Sequence, residues 1–235
     1  MNTLDIAAIG LRQDLDRLQL IGHNIANLST AGYKRQVAVQ QPFADLMAAQ
    51  ADAQVWTDGR AGKLNATGQP LDVALPEGRY LLLELADGSQ ALSRQGALQL
   101  DEQGLLRTVG GHKVMGSRGS IGLTASQRAE LEIDMQGQLK SQGQTHDALR
   151  LIAVKAGQVP RALGEGLYAA DSRQWDVEQP TAGVRSGHLE QSNVTTSQEM
   201  LNLMATTRHA ETMVRLFQAA DEMQATAIRR LGESN

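Results

Sequence analysis

The chain has 235 residues, a formal net charge of −4 and no cysteine. The lack of cysteine excludes disulfides, thiolate metal sites and cysteine nucleophiles, and the interspersed charges give no basic footprint for nucleic acid or an anionic membrane. The chain has no apolar run of about 18 residues, and its N-terminus lacks the basic and apolar regions of a secretory signal. We therefore expect neither a transmembrane helix nor a cleavable signal peptide.

The first predicted element is an amphipathic helix from Thr3 to about Leu28. Its small and apolar residues are separated by alternating steps of four and three, which is the spacing of a heptad seam. These residues are Leu4, Ala8, Leu11, Leu15, Leu18, Gly22 and Ile25. Gly22 is the weak point, because an interior glycine costs on the order of 1 kcal/mol relative to alanine, although it would also allow close packing against another helix.

Residues 35–63 are predicted to form a connector, in which the stretch VAVQQPF is compatible with a short strand. From residue 64 to residue 186 the hydrophobic period changes from 3.6 to 2, and glycine-containing turns recur at intervals of about 8–12 residues. This pattern is typical of a mainly antiparallel β domain, either a sandwich or an open barrel.

The C-terminal stretch is predicted to form one long helix that begins near Thr196. Thr196 and Glu199 have the spacing of a capping box, and neither Gly nor Pro occurs from Ser197 to Leu231. Apolar residues follow two seven-residue series: Leu203, Ala210, Phe217 and Leu231, and Met213, Ala220 and Ala227. Such a helix would be about 50 Å long, and its seam requires another helix to cover it.

These elements predict an α+β fold in which N- and C-terminal heptad helices form a coiled-coil layer and a mainly antiparallel β domain lies between them in sequence. The predicted divisions are 1–34 with 187–235 for the helices, 35–63 for the connector and 64–186 for the β domain. An isolated helix gains little stability from propensity alone. We therefore expect the two helices to pair with each other or with copies in neighbouring subunits, and to be poorly ordered in a dilute monomer.

The sequence offers no constellation for catalysis. None of the five histidines has a second histidine or a carboxylate at metalloprotease spacing. The glycine pattern from Gly164 to Ala169 is better explained as a turn, because no βαβ unit surrounds it. There is also no phosphate-binding loop and no nucleophile elbow. We predict that the protein is not an enzyme and has no catalytic, cofactor-binding or metal site.

Two motifs, one near each end of the chain, resemble those of the flagellar axial proteins of the rod and hook class. Residues 24–34, NIANLSTAGYK, are similar to the family pattern N-[IL]-A-N-x-x-T-x-G-[YF]-K, and residues 187–194, GHLEQSNV, are similar to G-x-[LV]-E-x-S-N-V. With shorter matches in the β domain, the resemblance covers nearly the whole chain. His23 and Ala210 depart from the family pattern. The short connector and the wording VRSGHLEQSNV resemble a proximal rod protein more than a distal one.

The resemblance implies a structural subunit of the bacterial flagellar basal-body rod. Such proteins are exported through the flagellar type III apparatus without a cleavable signal peptide. They assemble helically in the periplasm with other rod proteins and with copies of themselves, to form the drive shaft and export channel needed for motility. The partners implied are therefore other axial proteins and the export apparatus, with no nucleic acid and no membrane insertion.

Combining the heptad seams with the two motifs, we predict an assembly interface on both helices and on the segment that follows the first one. Its residues are Leu4, Leu11, Leu15, Leu18, Asn24, Ile25, Asn27, Gly32, Tyr33, Leu203, Met213, Phe217, Ala220 and Leu231. The alternative hypothesis is a secreted or periplasmic adaptor whose terminal coiled coil binds another protein. The two hypotheses differ in valence, because an adaptor would form a closed, stoichiometric complex whereas an axial protein would form helical polymers.

Overall fold

The computed structural model describes residues 3–38, 55–154, 160–169, 175–176 and 183–233. In these ranges the chain begins with helix α1 (Thr3–Ala26) and ends with helix α2 (Thr196–Glu233), and short β-strands lie between them in sequence. The predicted α+β fold, with two helices and a mainly antiparallel sheet domain, is confirmed. Neither helix combines the length and hydropathy needed to cross a bilayer.

The strands in the described ranges are short, and a single 3-10 helix (Ala125–Arg128) interrupts them. They are β1 (Gln36–Ala38), β2 (Val55–Thr57), β3 (Leu64–Ala66), β4 (Val73–Ala74), β5 (Arg79–Glu84), β6 (Gln90–Ser93), β7 (Leu98–Leu100), β8 (Leu106–Thr108), β9 (Lys113–Gly116), β10 (Gly119–Ser120), β11 (Glu132–Ile133), β12 (Gln138–Ser141), β13 (Gln144–Ala148), β14 (Leu151–Val154), β15 (Ala162–Gly164), β16 (Leu167–Ala169), β17 (Trp175–Asp176), β18 (Arg185–Ser186) and β19 (His188–Glu190).

The chain divides into two compact units. The helical unit contains residues 1–26, 36–56 and 194–235, and the β unit contains residues 27–35 and 57–193. The segment that follows α1 therefore belongs to the β unit, whereas β1 belongs to the helical unit and pairs with β2. Strand β1 includes the first two residues of the stretch VAVQQPF, and the remainder of that stretch lies outside the described residues.

The β unit is built around a ten-stranded sheet with the strand order β15-β16-β6-β5-β9-β8-β7, to which β10, β14 and β17 are joined. Its central strand β5 buries Leu81 and Leu83 in one hydrophobic cluster and Tyr80 and Leu82 in another. Because successive side chains of a strand point to opposite faces, this sheet is covered on both sides at β5. That double burial explains why β5 reads as an unbroken apolar run.

Smaller antiparallel pairings complete the β unit. Strands β11, β12 and β13 form a three-stranded sheet, β18 pairs with β4, and β19 pairs with β3. In the last pair, Glu190 of β19 stands opposite Leu64 of β3. The motif GHLEQSNV therefore starts within the β unit, although α2 follows it immediately in sequence.

Candidate assembly site

Helix α1 packs along α2 through a seam of small and polar residues. Ala7, Asp14 and Ile21, each seven residues after the last, are buried, and so is Asn24. A Cβ atom added to Gly10 would lie 3.3 Å from the Sδ atom of Met213, so the helices approach closely at this glycine. The buried face of α1 is thus offset by one residue from the leucine seam that the sequence suggested.

Helix α2 contributes residues at the same seven-residue spacing. Glu199, Thr206 and Ala220 are buried and Met213 is partly buried. This row extends the predicted series of Met213 and Ala220 towards the start of the helix. Gly22, by contrast, has nothing within 4 Å of an added Cβ atom. The close helix packing therefore occurs at Gly10 and not at Gly22.

Polar contacts cross this seam. The Nδ1 atom of His209 lies 2.7 Å from Oδ2 of Asp14, and Nδ2 of Asn24 lies 3.5 Å from Oε2 of Glu199. Asn24 also holds β1 from both sides of its amide, because Oδ1 accepts from the Gln36 N–H at 2.9 Å and Nδ2 donates to the Gln36 carbonyl at 2.8 Å. Asn24 therefore joins the end of α1 to α2 and to β1.

Most of the predicted apolar interface residues are exposed or partly buried in the helical unit. Leu15 is 57% exposed and Phe217 is 45% exposed. Partly buried positions are Leu11, Leu18, Ile25 and Leu203. The side chains of Leu4 and Leu231 lie outside the described residues. Further large apolar side chains of α2 are exposed as well, namely Met200, Leu201, Met204, Val214, Leu216 and Met223.

The other predicted residues belong to the β unit, where the two sequence motifs meet. The N–H of Gly32 donates to the carbonyl of Glu190 at 2.7 Å, and the N–H of Asn193 donates to the carbonyl of Tyr33 at 3.4 Å. Tyr33 is buried, and Asn27 accepts a hydrogen bond from the Thr30 hydroxyl at 3.1 Å. Gly32, Tyr33 and Asn27 therefore order the chain within one subunit.

We call the region where the N-terminal motif meets the C-terminal motif the junction. The side chain of Asn193 adds hydrogen bonds to it. Its Oδ1 atom accepts from the Arg35 N–H at 2.7 Å, and its Nδ2 atom donates to the carbonyls of Asp58 and Arg60 at 2.9 and 3.0 Å. A single amide thus bonds the segment that follows α1 and the segment that follows β2. An apolar side chain of similar size would leave these backbone groups without that partner.

A buried carboxylate between two cations lies at the centre of the junction. Glu190 accepts from Lys34 Nζ at 2.6 Å, from Arg94 Nη2 at 2.5 Å and from the Gly62 N–H at 2.8 Å. All three charged side chains are almost fully buried. Arg94 also donates to backbone carbonyls, including that of Arg79 at 2.6 Å. The charges are therefore both paired and hydrogen-bonded, as buried charges must be.

The pKa values of this cluster follow from its geometry. Burial alone would raise the pKa of Glu190, but Arg94, the hydrogen bonds from Lys34 and Gly62, and the charge of Lys34 together lower it below its ordinary value. Burial and the neighbouring charge of Arg94 lower the pKa of Lys34, with Glu190 opposing the shift. The side chain of Glu190 is therefore ionised at neutral pH.

Gly32 occupies a position that only glycine fills without strain. Its φ is +71°, and a Cβ atom there would overlap the backbone oxygen of Arg94. The glycine thus allows the N-terminal motif to lie directly against Arg94, the residue that follows β6.

Comparison with known proteins identifies the family that this sequence resembles. The sequence model of the protein family described as "Flagellar basal body rod FlgEFG protein C-terminal" matches residues 185–230. FlgF of Escherichia coli is 28% identical over 245 residues, covering 94% of this chain and 95% of that protein. FlgG of Agrobacterium fabrum is 29% identical over 271 residues, covering 98% of this chain and 100% of that protein.

This chain is similar to the flagellar basal-body rod proteins over nearly its whole length. The resemblance predicted from the two end motifs is confirmed. FlgF of Salmonella typhimurium is also 28% identical, over 242 residues. The matches to FlgF are statistically more significant than the match to FlgG, although the identities are nearly equal, which favours FlgF over FlgG as the kind of rod protein that the chain resembles.

The rod-protein family match spans the second half of the junction and most of α2. It begins at Arg185, so it contains Glu190, Asn193 and the row from Glu199 to Ala220.

Within the described ranges, no group of His, Asp and Glu side chains is arranged to hold a metal ion.

Sequence reasoning missed the charged residues that connect these segments. No partner was predicted for Arg94, Asp14 or His209. A usable signal was present, because Asp14 lies seven residues after Ala7 and seven before Ile21. A carboxylate at seven-residue spacing within a heptad pattern indicates a polar contact in the seam.

Proposed function

We propose that this chain is a structural subunit of the bacterial flagellar basal-body rod. It self-assembles helically with other axial proteins and with copies of itself, and so forms the drive shaft and export channel for motility. The observation that carries the proposal is the apolar surface that the two helices leave exposed, exemplified by Leu15 and Phe217. The relation to rod proteins of the FlgF and FlgG kinds supports it.

The occupant of this surface is a helix of another axial subunit. One chain satisfies the seam of α1 that contains Ala7, Asp14 and Ile21 by packing it against its own α2. The neighbouring leucine seam still carries heptad spacing, so a second helix can dock there by knobs-into-holes packing. Contacts between different faces of the same subunit do not close on themselves and so propagate a helical polymer. Together these contacts form the coiled-coil layer of the rod.

Export and assembly are coupled in this proposal. The chain passes unfolded through the flagellar type III apparatus, and its helices order fully when subunits meet in the periplasm. The ordering cost of long helices is then offset by the apolar area that association buries. No catalytic step, cofactor or metal ion takes part.

The first test is mass spectrometry of purified hook–basal bodies from the source cell, together with electron microscopy of a strain that lacks the gene. We expect the chain in the basal body and an incomplete rod in the deletion strain. Complete basal bodies that lack the chain would overturn the assignment. If the purified chain instead formed a closed complex of fixed stoichiometry with one protein, the adaptor hypothesis would replace it.

The second test replaces Leu18 or Phe217 by Asp. A charge in an apolar seam costs several kcal/mol when no partner neutralises it, so we expect both variants to be excluded from the rod while the β unit stays folded. Gln218→Asp is the matched control, because it puts the same charge on an exposed polar position next to Phe217. Normal motility of both seam variants would contradict the proposed interface.

A further inference from the structure

The contact between Asp14 and His209 is out of place in a helix seam that exists only for stability. Asp14 is 4% exposed, and its Oδ2 atom lies 2.7 Å from Nδ1 of His209, whose side chain is 55% exposed. The other α1 residues of this seam are Ala7, Gly10 and Ile21, which are small or apolar, and Asn24, which is polar and buried.

Stability alone does not account for this pair. Taking a carboxylate out of water is costly, and replacing a buried polar pair by packed apolar side chains is often neutral or stabilising. Polar side chains in helix seams have a different, well-attested use, which is to fix the register and partner of the helices at some cost in stability. The pair therefore fits a role in specifying how α1 and α2 meet.

The competing packing face of α1 is the leucine seam, which lies beside the face that contains Asp14. Turning α1 by one residue, roughly 100°, would place the leucine seam of Leu11, Leu15 and Leu18 against α2. That arrangement would bury more apolar surface. It would also separate Asp14 from His209 and withdraw Asn24 from Glu199 and from the backbone of β1.

We propose that Asp14 and His209 determine which face of α1 pairs with α2 within one chain, so that the leucine seam stays available. The choice of the packing face of α1 concerns a single subunit. It can therefore be tested independently of the proposed assembly into a rod. The role is one of positioning, because neither residue needs to touch a second subunit to fulfil it.

The absence of cysteine from the chain allows a direct test by disulfide trapping in the full-length protein. A Cβ atom on Gly10 would lie 3.7 Å from Cγ of Met213, which is the position that a cysteine sulfur would take. A Gly10→Cys/Met213→Cys pair is therefore within reach of a disulfide. The comparison pair is Leu11→Cys/Met213→Cys, which reports the face turned by one residue. Both pairs are oxidised at high dilution, and the rates of intramolecular cross-linking are compared by mass spectrometry.

With Asp14 and His209 present, we expect the Gly10 pair to close about tenfold faster than the Leu11 pair, because turning the helix would separate the Asp14 carboxylate from its hydrogen-bond partner. In an Asp14→Leu/His209→Leu background, the two rates should come within about twofold of each other while helix content by circular dichroism is kept or increased. A rate ratio that is the same in both backgrounds would overturn the proposal. So would equal rates when both residues are present, or a loss of helix content in the double variant, which is the signature of a purely stabilising role.

A matched background controls for the added hydrophobicity. Arg12→Leu/Arg208→Leu introduces the same two side chains at exposed positions of α1 and α2. The tenfold preference should persist there, and its disappearance would count against a specific role of Asp14 and His209.

Discussion

The β unit buries a core of strand leucines completely, whereas the helical unit keeps large apolar side chains in water along both of its helices. The β unit also exposes apolar residues, such as Val109 and Met135, but they lie apart in its sequence. Leu81 and Leu83 in the central strand of the β unit are 0% exposed, but Leu15 of α1 and Phe217 of α2 keep about half of their surface exposed. Both units draw on the same aliphatic residues, since aromatic residues make up 3% of the chain. The contrast teaches that apolar composition serves folding in one unit and, in our proposal, association in the other.

The two units also treat buried charge differently. Glu190 is held by two cations and a backbone N–H, which leaves its carboxylate fully satisfied within the β unit. Asp14 of the helical unit is paired with a histidine that is half exposed. The first arrangement stabilises one fixed structure, and the second suits a choice between two packings of similar energy.

The largest effect is expected from Glu190→Ala. Removing the shared carboxylate leaves Lys34 and Arg94 buried without their anion, and breaking a buried ion pair in this way costs about 3–5 kcal/mol. The free energy of unfolding is measured by urea denaturation. Glu84→Ala is the control, because Glu84 forms a partly exposed pair with Lys113 and its loss should change stability little. Equal effects of the two substitutions would show that the Glu190 cluster is not a stability determinant.

Truncating the core leucine Leu81 should come next. Leu81→Ala removes a fully buried side chain from β5 and should lower the free energy of unfolding by about 2–5 kcal/mol. Phe217→Ala removes a larger side chain that is half exposed, so the isolated chain should lose much less stability while incorporation into the rod is lost. If Phe217→Ala destabilised the isolated chain as much as Leu81→Ala, the contrast between the two units would fail.

A smaller effect, with a close control, is expected at two glycines. Gly32 and Gly68 share a φ of +71°, but an added Cβ atom overlaps the Arg94 carbonyl at Gly32 and meets nothing within 4 Å at Gly68. Gly68→Ala should therefore cost only the conformational penalty of about 1–2 kcal/mol. Gly32→Ala should cost more, because the junction must shift. Thermal unfolding of both variants measures the difference, and identical melting temperatures would show that the junction yields without cost.

The helices were predictable from sequence because their signal is local. Heptad spacing predicted a helix from Thr3 to about Leu28, and α1 spans Thr3–Ala26. The absence of Gly and Pro from residue 197 to residue 231 predicted α2, which spans Thr196–Glu233. Turn glycines between short alternating stretches predicted the antiparallel strands for the same reason.

The face of α1 that packs on α2 was not predictable in this way. Hydrophobic periodicity selects the row with the most leucine, but close approach of two helices favours small residues such as Ala7 and Gly10. The Glu190 cluster was equally hidden, because Lys34 and Glu190 are 156 positions apart. Single-sequence patterns carry no information on which distant charges meet, and only the resemblance to the axial family placed both residues in motifs.

The smallest expected effect is on how the free energy of unfolding depends on pH. It isolates the contribution of Glu190 from that of the other carboxylates of the β unit. The pKa of Glu190 is lowered in the folded protein, because Arg94, Lys34 and Gly62 together outweigh the opposing effect of burial. A carboxyl group with a lowered folded-state pKa contributes stability that is fully present above its ordinary value of 4.5 and is lost as pH falls through the lower folded value. The lowered pKa of Lys34 acts on the alkaline side and leaves this window clear.

The advantage of the parent chain over Glu190→Gln should therefore be constant near neutral pH and shrink below about pH 4.5, since only the parent then takes up the additional proton. Urea denaturation at several pH values gives this difference directly. The other carboxylates of the β unit titrate equally in both chains, so their contributions cancel. A difference that stays constant down to about pH 3 would mean that Glu190 gains nothing from its charge. The cluster would then act through hydrogen bonding alone, and the electrostatic contrast between the β unit and the helical unit would have to be abandoned.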